Sequence, residues 1–179
     1  MKQEPPKEKL KLVIGSEMLS SRVRELGENI SRDYSAQEIV LLSVLRGSVY
    51  FTVDLSRQLT IPFILDFIGI SSYGGSSEPS GVVRITKDLE TNIYGRHVLV
   101  IEGIVDTGLS LGYLLRNLKA RQPASLGVCA LLNVEARRIV EMDIDYKGFD
   151  LPNIFVVGYG LDYNERYRQL DYVAELQGT

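Results

Sequence analysis

Runs of apolar residues alternate along this chain with stretches in which apolar residues recur every three or four positions. The nearly continuous run Ile39–Leu45 is typical of a strand in the middle of a parallel sheet, covered on both faces. Leu19, Val23, Leu26 and Ile30 are spaced to share one face of a helix. The same patterns predict strands over Phe63–Ile70, Val82–Ile85, Val98–Ile101, Leu126–Leu132 and Ile154–Val157, and helices over Val49–Leu59 and Leu111–Leu118. This alternation of strands and helices predicts an α/β fold with a mostly parallel central sheet.

Residues 71–81 have a different composition from the strands on either side. They read Ser-Ser-Tyr-Gly-Gly-Ser-Ser-Glu-Pro-Ser-Gly and contain little that a core would bury. One interpretation is a hairpin connection between two strands. The other is a lid, because a loop this long in a compact domain is often functional.

The N-terminal segment, residues 1–11, is rich in charge and contains Pro5 and Pro6. It lacks the apolar core of a signal peptide, so we expect a mobile arm there. The remaining residues, 12–179, are of a length typical of one domain. No stretch approaches the roughly 20 apolar residues of a membrane span, which predicts no membrane partner.

Charge and cysteine content exclude further classes of protein. The net charge is −3, whereas a nucleic-acid-binding protein usually carries a basic excess. The chain contains a single cysteine, Cys129. It lies in an apolar run, so we interpret it as a buried small side chain. One cysteine cannot form an intramolecular disulfide, and we expect a cytoplasmic protein. His97 is the single histidine, which excludes a histidine-rich metal site.

The stretch from His97 to Leu111 carries the strongest chemical signal. An apolar strand leads into Glu102, a second acid follows at Asp106, and Thr107-Gly108-Leu109-Ser110 leads into a predicted helix. Loop amides at a helix N-terminus favour an anion, and the hydroxyl groups of this turn add donors. Taken alone, the Thr-Gly turn favours a simple strand-turn-helix junction in which Ser or Thr caps the helix.

The two acids favour a sugar-phosphate site over a plain helix cap. A carboxylate at the end of an apolar strand needs a partner, and the hydroxyls of a ribose would serve Glu102. Asp106, at the mouth of the anion loop, is placed to act as a general base or to stabilise a cationic transition state.

With four further motifs, this stretch resembles the hypoxanthine-guanine phosphoribosyltransferases. The resemblance runs from about Leu12 to Glu175, and its specificity comes from five motifs in the family's order. The motifs are Leu45-Arg46-Gly47, Ser72-Tyr73, Glu102 to Gly108, Leu131 to Arg138, and Phe155 to Glu165 with Arg168.

The resemblance implies a type I phosphoribosyltransferase fold, with a small hood and a flexible lid at Ser72 and Tyr73. It also implies transfer of phosphoribose from phosphoribosyl pyrophosphate to N9 of a 6-oxopurine, with Mg²⁺, in a homodimer or homotetramer. Asp106 would be the base near purine N7, and Thr107, Gly108, Leu109 and Ser110 would hold the 5′-phosphate.

The resemblance assigns the other site residues by position. Glu102 would bind ribose hydroxyls and Mg²⁺, Asp162 would hold a second Mg²⁺ beside the purine, and Arg168 would contact pyrophosphate. The backbone of Leu45, Arg46 and Gly47, often with a cis peptide, would also bind pyrophosphate. Phe155 would stack on the purine, the backbone of Val156 would read its Watson–Crick edge, and Val134 occupies the position of a purine-binding lysine.

Judged without the resemblance, the C-terminal motif has simpler interpretations. Phe155 precedes two valines and would be core, Asp162 would cap a helix, and Arg168 would lie on a solvated face. Arg137 and Arg138 read as surface charge, to which the sequence gives no role.

Two positions depart from the family pattern. Gly103 replaces the second of two adjacent acids, and Val134 replaces a lysine that donates to the purine 6-oxo group. Three outcomes stay open: an active enzyme with a modified pocket, an enzyme for another base, or a regulatory protein of this fold, such as one that binds RNA. The retained Asp106, Asp162 and Arg168 favour the first.

Overall fold

The fold is built from nine strands and three helices in the part of the chain that the structure, a computed structural model, describes: residues 9–73 and 82–178. The strands are β1 (Lys9–Ile14), β2 (Ile39–Leu45), β3 (Phe63–Tyr73), β4 (Val82–Lys87), β5 (His97–Val105), β6 (Ser125–Asn133), β7 (Tyr146–Asp150), β8 (Val156–Val157) and β9 (Val173–Gln177). The helices are α1 (Ser16–Asp33), α2 (Val49–Ser56) and α3 (Leu109–Lys119), and a 3-10 turn spans Glu135–Arg137.

Six strands form a sheet in the order β4-β3-β2-β5-β6-β7. Every neighbouring pair is parallel except β3 with β4, which confirms the predicted α/β fold. Parallel strands of this kind are buried on both faces of the sheet, and the residues of β2 illustrate this. Ile39 and Leu41 pack in one core cluster, whereas Val40, Leu42 and Val44 pack in a second one on the opposite face.

The helices supply the cover on each face. Apolar residues of α1 and α2, with Phe51 fully buried, fill the first cluster, and apolar residues of α3 fill the second. Cys129 lies in the first cluster with no exposed surface, as predicted, and burial raises the pKa of its thiol. No helix in the described ranges is long and apolar enough to cross a membrane.

A second, smaller sheet has the order β1-β9-β8 and is antiparallel throughout. It corrects the boundary expected at residue 12, because Lys9–Lys11 belong to β1 and not to a mobile arm. Backbone pairing with β9 explains this strand better than burial does, since Leu12 is 63 % exposed. The rest of the expected arm, residues 1–8, lies outside the described residues.

Some predicted boundaries were wrong. The central strand β5 continues past Glu102 to Val105, because Ile104 and Val105 still pair with β6, so Glu102 does not end the strand. The helix predicted over Val49–Leu59 ends at Ser56, and Ile154–Val157 is a strand only over its last two residues.

The predicted lid residues Ser72 and Tyr73 are the last two residues of β3. Tyr73 pairs with Val82 across the antiparallel pair of β3 and β4, as the hairpin interpretation expects of the two flanking strands. The remainder of the predicted lid, residues 74–81, lies outside the described residues, and its closure stays a prediction.

Candidate active site

A cavity of about 240 Å³ opens at the carboxyl ends of β2 and β5. This edge is where ligands bind in open parallel sheets. The cavity brings together six of the residues predicted from the sequence: Gly47, Glu102, Asp106, Thr107, Gly108 and Ser110.

The turn from Asp106 into α3 forms one wall of this cavity. Gly108 has φ +79°, and a Cβ there would lie 2.9 Å from the carbonyl oxygen of Val140, so the turn requires glycine. Helix α3 begins at Leu109 without a side-chain cap, and its first intrahelical bond runs from the Gly112 N–H to the Gly108 carbonyl. The N–H groups of Leu109, Ser110 and Leu111 therefore lack intrahelical partners, although that of Leu109 donates to Thr107 Oγ1 at 3.4 Å, and such a set of donors suits a phosphate.

The opposite wall is the turn after β2. The Leu45–Arg46 peptide bond is cis, as the resemblance implies. The carbonyl of Gly47 in this turn lies between Gly103 and Gly160. A Cβ on Gly103 would lie 2.9 Å from that carbonyl oxygen, and a Cβ on Gly160, which has φ +100°, would overlap it. Gly103 thus permits a close approach of the turn to β5, in addition to lacking a carboxylate.

Glu102 contributes a carboxylate to the same cavity. Burial raises the pKa of this carboxyl group to about 8, although hydrogen bonds from the backbone of Gly103 and Ile104 lower it. One of those bonds joins the Gly103 N–H to Oε1 at 3.0 Å. A carboxylate in this environment is stabilised by any cation or hydroxyl that enters the cavity.

A second cavity of about 240 Å³ adjoins the first, and Ile104 and Asp106 line both. It contains four further residues predicted for the base: Val134, Phe155, Val156 and Asp162. Phe155 is 48 % exposed and packs edge-to-face on Tyr163, with ring centroids 5.8 Å apart, so its interpretation as a core residue is wrong. Val134 is 2 % exposed and presents an apolar surface.

The backbone of Val156 faces away from its neighbouring strand. β8 is an edge strand, and Val156 pairs with Glu175 of β9. The Leu176 N–H donates to the Phe155 carbonyl at 3.0 Å, so Val156 occupies a position that forms no hydrogen bond within the pair. Its N–H and C=O are therefore directed to the free edge, on the side of the second cavity.

Asp106 has one carboxylate oxygen in an ion pair and one without a partner. Oδ2 lies 2.9 Å from Nη1 of Arg137, whereas Oδ1 is buried and accepts no hydrogen bond from the described residues. Burial raises the pKa of Asp106, against the opposing charges of Arg137 and Arg138. A carboxylate with a free, desolvated oxygen is suited to accept a proton from a ligand.

The sequence interpretation missed Arg137 and Arg138, which are not simple surface charges. Arg138 donates from Nη2 to the Asn133 side chain, and its Nη1 is buried without a partner in the described ranges. The parallel pairing of Val105 with Asn133 brings both arginines to Asp106. Their position in the sequence could have indicated this, because they follow β6, and the carboxyl end of β6 lies at the same edge of the sheet as that of β5.

Polar side chains around Arg168 connect the segment between β8 and β9 to the turn after β2. Arg168 lies 2.7 Å from Asp162 and donates to the Gly160 carbonyl at 2.8 Å. Glu165 pairs with both Arg46 and Arg168. The interpretation of Arg168 as a solvated residue is therefore wrong, and Asp162 accepts the Glu165 N–H in a turn instead of capping a helix.

Comparison with known proteins gives a consistent result. Residues 15–164 match the family described as the phosphoribosyl transferase domain. The chain belongs to the phosphoribosyltransferase family. A hypoxanthine-guanine phosphoribosyltransferase of Mycobacterium avium is 48 % identical to this phosphoribosyltransferase over 171 residues, which cover 92 % of the chain and 84 % of the relative.

Solved structures of similar proteins match this phosphoribosyltransferase over nearly its whole length. One is a hypoxanthine-guanine phosphoribosyltransferase of Bacillus anthracis, 40 % identical, with a TM-score of 0.89, covering 93 % of this chain and 99 % of its own. Another is a hypoxanthine phosphoribosyltransferase of Staphylococcus aureus, 36 % identical, with a TM-score of 0.90, covering 93 % and 91 %. These matches confirm the resemblance and the type I phosphoribosyltransferase fold.

Proposed function

We propose that this phosphoribosyltransferase transfers phosphoribose from phosphoribosyl pyrophosphate to N9 of hypoxanthine or guanine, forming IMP or GMP and pyrophosphate in purine salvage. The position of Asp106 carries this proposal, because Asp106 lines both the cavity suited to a sugar phosphate and the cavity suited to a base. The relatives that match nearly the whole chain support the same reaction.

The first cavity would bind phosphoribosyl pyrophosphate. Backbone and hydroxyl donors of Thr107–Ser110 would hold the 5′-phosphate at the start of α3. Glu102 would bind ribose hydroxyls. The backbone of Arg46 and Gly47 would hold the pyrophosphate, together with Arg168, which the ion pairs through Glu165 place close to Arg46.

The second cavity would bind the purine. Phe155 would stack on the ring, and the free N–H and C=O of Val156 would read its Watson–Crick edge. Purine N9 forms a bond to C1′ of the ribose as the bond from C1′ to pyrophosphate breaks. Asp106 accepts the proton that leaves N7, which makes N9 the better nucleophile.

The donor set fits Mg²⁺ that arrives with the substrate. Mg²⁺ is usually held by one or two carboxylates together with phosphate oxygens, and Glu102 and Asp162 supply one carboxylate each. In the described ranges, no group of three or more acidic, histidine or cysteine side chains is placed to form a cage of its own. When bound, Mg²⁺ neutralises charge on the leaving pyrophosphate.

The proposal also covers the location, the oligomeric state and the lid of the enzyme. We place the enzyme in the cytoplasm, as a homodimer or homotetramer without nucleic-acid or membrane partners, and with its one catalytic domain extending from β1 to β9. The lid of Ser72 and Tyr73 would close over the reacting sugar and exclude water.

A turnover assay with four bases tests the proposed reaction. Purified protein with Mg²⁺ and phosphoribosyl pyrophosphate is expected to convert hypoxanthine and guanine into their nucleotides, with xanthine and adenine as the comparison bases. Chelation of Mg²⁺ by EDTA is expected to abolish turnover, and adding the metal back is expected to restore it. Absence of turnover with every base, together with intact binding of phosphoribosyl pyrophosphate, would contradict the proposal.

That contrary result would favour the second candidate, a regulatory or ligand-binding protein with weakened catalysis. The apolar, buried surface of Val134 in the base cavity and the missing carboxylate at Gly103 support this candidate. An RNA gel shift at low salt tests one form of it, because contacts to phosphate are strongest there.

The Val134→Lys substitution is expected to lower KM for hypoxanthine and guanine about tenfold. A lysine in the wall of the base cavity adds a charge-assisted hydrogen bond to the 6-oxo group. Steady-state kinetics would measure the change. Ile139→Lys is the matched control, because Ile139 is 66 % exposed outside the cavity. Unchanged kinetics for Val134→Lys would show that position 134 does not face the 6-oxo group.

A further inference from the structure

The base cavity has one positively charged side chain among the described residues that line it. That residue is Arg137, and the other charged groups of the lining are the carboxylates of Asp106 and Asp162. The remainder of the lining is aliphatic or aromatic, including Val134. A base that presents an oxygen to this cavity therefore finds its strongest side-chain donor at Arg137.

Arg137 has donors left for a ligand. Its guanidinium carries five N–H donors in a planar fork, and the ion pair of Nη1 with Oδ2 of Asp106, at 2.9 Å, occupies only part of that fork. The side chain is 45 % exposed, so the remaining donors are accessible from the cavity. Its backbone is fixed by the 3-10 turn, in which the Arg137 N–H donates to the Val134 carbonyl.

Arg137 and Asp106 lie side by side in the base cavity, with Nη1 of Arg137 2.9 Å from Oδ2 of Asp106. On one edge of a 6-oxopurine O6 and N7 are likewise neighbouring atoms, and O6 accepts hydrogen bonds from a guanidinium. In the proposed reaction Asp106 takes the proton from N7. A purine that brings N7 to Asp106 therefore brings O6 to the adjacent Arg137.

We propose that Arg137 is the specificity-determining residue of the base site, donating to O6 of the purine in place of a residue at position 134. The proposal rests on the proposed function for its substrate class. Because a guanidinium only donates, a 6-amino group would meet it donor to donor and be rejected. The pair of Asp106 and Arg137 would thus read N7 and O6 as one unit.

A loss of activity in an Arg137 variant would not by itself support this role. The charge of Arg137 also lowers the pKa of Asp106, so its removal affects proton transfer from any base. The decisive readout is how far the Arg137 substitution changes the preference for a ligand with O6 over an analogue without it, because any contribution from N1 is common to both proteins. Binding of product nucleotides measures that preference without proton transfer.

The experiment compares IMP with purine riboside 5′-monophosphate, which lacks O6, by isothermal titration calorimetry. The unmodified protein is expected to bind IMP about tenfold more tightly. Arg137→Met is expected to lose most of this preference and to keep only the part due to N1, which donates in IMP and accepts in the analogue and which would face the Val156 backbone. Arg137→Lys, which keeps a charged donor, is expected to retain much of the preference. Arg96→Met is the matched control, because Arg96 is an exposed arginine paired with Glu38 away from the cavity.

Rescue by a second substitution tests the same idea. Adding Val134→Lys to Arg137→Met is expected to restore the preference for IMP, because a donor again faces O6. The Val134→Lys substitution is expected to increase the preference for IMP more in the Arg137→Met variant than in the protein that retains Arg137.

Each result bears on the proposal. An undiminished preference for IMP in Arg137→Met, or no preference in the unmodified protein, would overturn the role of Arg137. Absence of turnover with every base would overturn only the proposed transfer reaction. The role of Arg137 is tested separately, because loss of the preference for IMP in Arg137→Met would still support Arg137 as the residue that reads O6.

Discussion

Replacing Asp106 with asparagine is expected to lower kcat for hypoxanthine about 10²- to 10⁴-fold, the usual contribution of a positioned general base. Oδ1 of Asp106 is buried and without a partner in the described structure, and an amide at this position cannot accept the N7 proton. Binding of phosphoribosyl pyrophosphate should change much less, because the phosphate contacts proposed for Thr107–Ser110 stay in place.

The pH dependence provides a second measurement on the same residue. Burial raises the pKa of Asp106 despite the nearby arginines, so protonation begins at a higher pH than for an ordinary aspartate. Only the ionised form accepts a proton, so kcat/KM should fall as the pH drops through this raised pKa. The asparagine variant should lose the part of that acidic limb that belongs to Asp106, whereas a fall caused by protonation of Glu102, whose pKa burial raises to about 8, should remain in both proteins. Asp171→Asn, at an exposed position, is the control and should keep both rate and profile.

A kcat for Asp106→Asn within a few-fold of the unmodified enzyme would show that another group, or solvent, takes the proton. The two cavities would then still be assigned to the substrates, but Asp106 would not be the general base. The same conclusion would follow if the pH profile of the variant had the same shape as that of the unmodified enzyme.

The Gly160→Ala substitution is expected to lower kcat/KM for phosphoribosyl pyrophosphate about 10²-fold. The added Cβ would overlap the carbonyl of Gly47 and displace the turn that is proposed to hold pyrophosphate. Displacement of a positioning group by about 1 Å can reduce the rate by this amount. The positive φ of Gly160 adds about 1–3 kcal/mol of strain, which should lower the free energy of unfolding by a similar amount.

Gly95→Ala separates the two effects of that substitution. Gly95 also has a positive φ, of +68°, but a Cβ there would contact nothing within 4 Å. This control should reproduce the loss of stability, measured by urea denaturation, and keep the kinetics. Normal kinetics in Gly160→Ala would show that the position of the Gly47 carbonyl does not matter for catalysis.

The central strands β2, β5 and β6 were predictable because most of their residues are buried. In Ile39–Leu45, neighbours along the strand enter different core clusters, and every residue is apolar except the small Ser43. The edge strand β7 is only partly buried and was not predicted. The small sheet gave no such signal. Lys9–Ile14 is mostly exposed and is held by backbone pairing with a strand far away in the sequence, which no local pattern reveals.

The site was predictable where its residues follow one another along the chain. Glu102, Asp106 and the turn into α3 belong to one segment, so their order implies their proximity. Arg137 reaches Asp106 only through the parallel pairing of β5 and β6. The sequence likewise shows that Gly103 lacks a carboxylate, but it does not show the Gly47 carbonyl that approaches it from another strand.

The small sheet also joins the two ends of the described chain beside the second cavity. The donors proposed to bind phosphate, in the turn before α3, are framed by β2, β5 and β6, all of which precede β9 in the chain. The edge of β8 that is proposed to read the base is held by β9, which in turn pairs with β1 from the opposite part of the chain. Such a pairing between distant segments is slow to close. Binding of a base is therefore expected to depend on the pairing of β9, whereas the turn before α3 is built on strands that precede β9 in the chain.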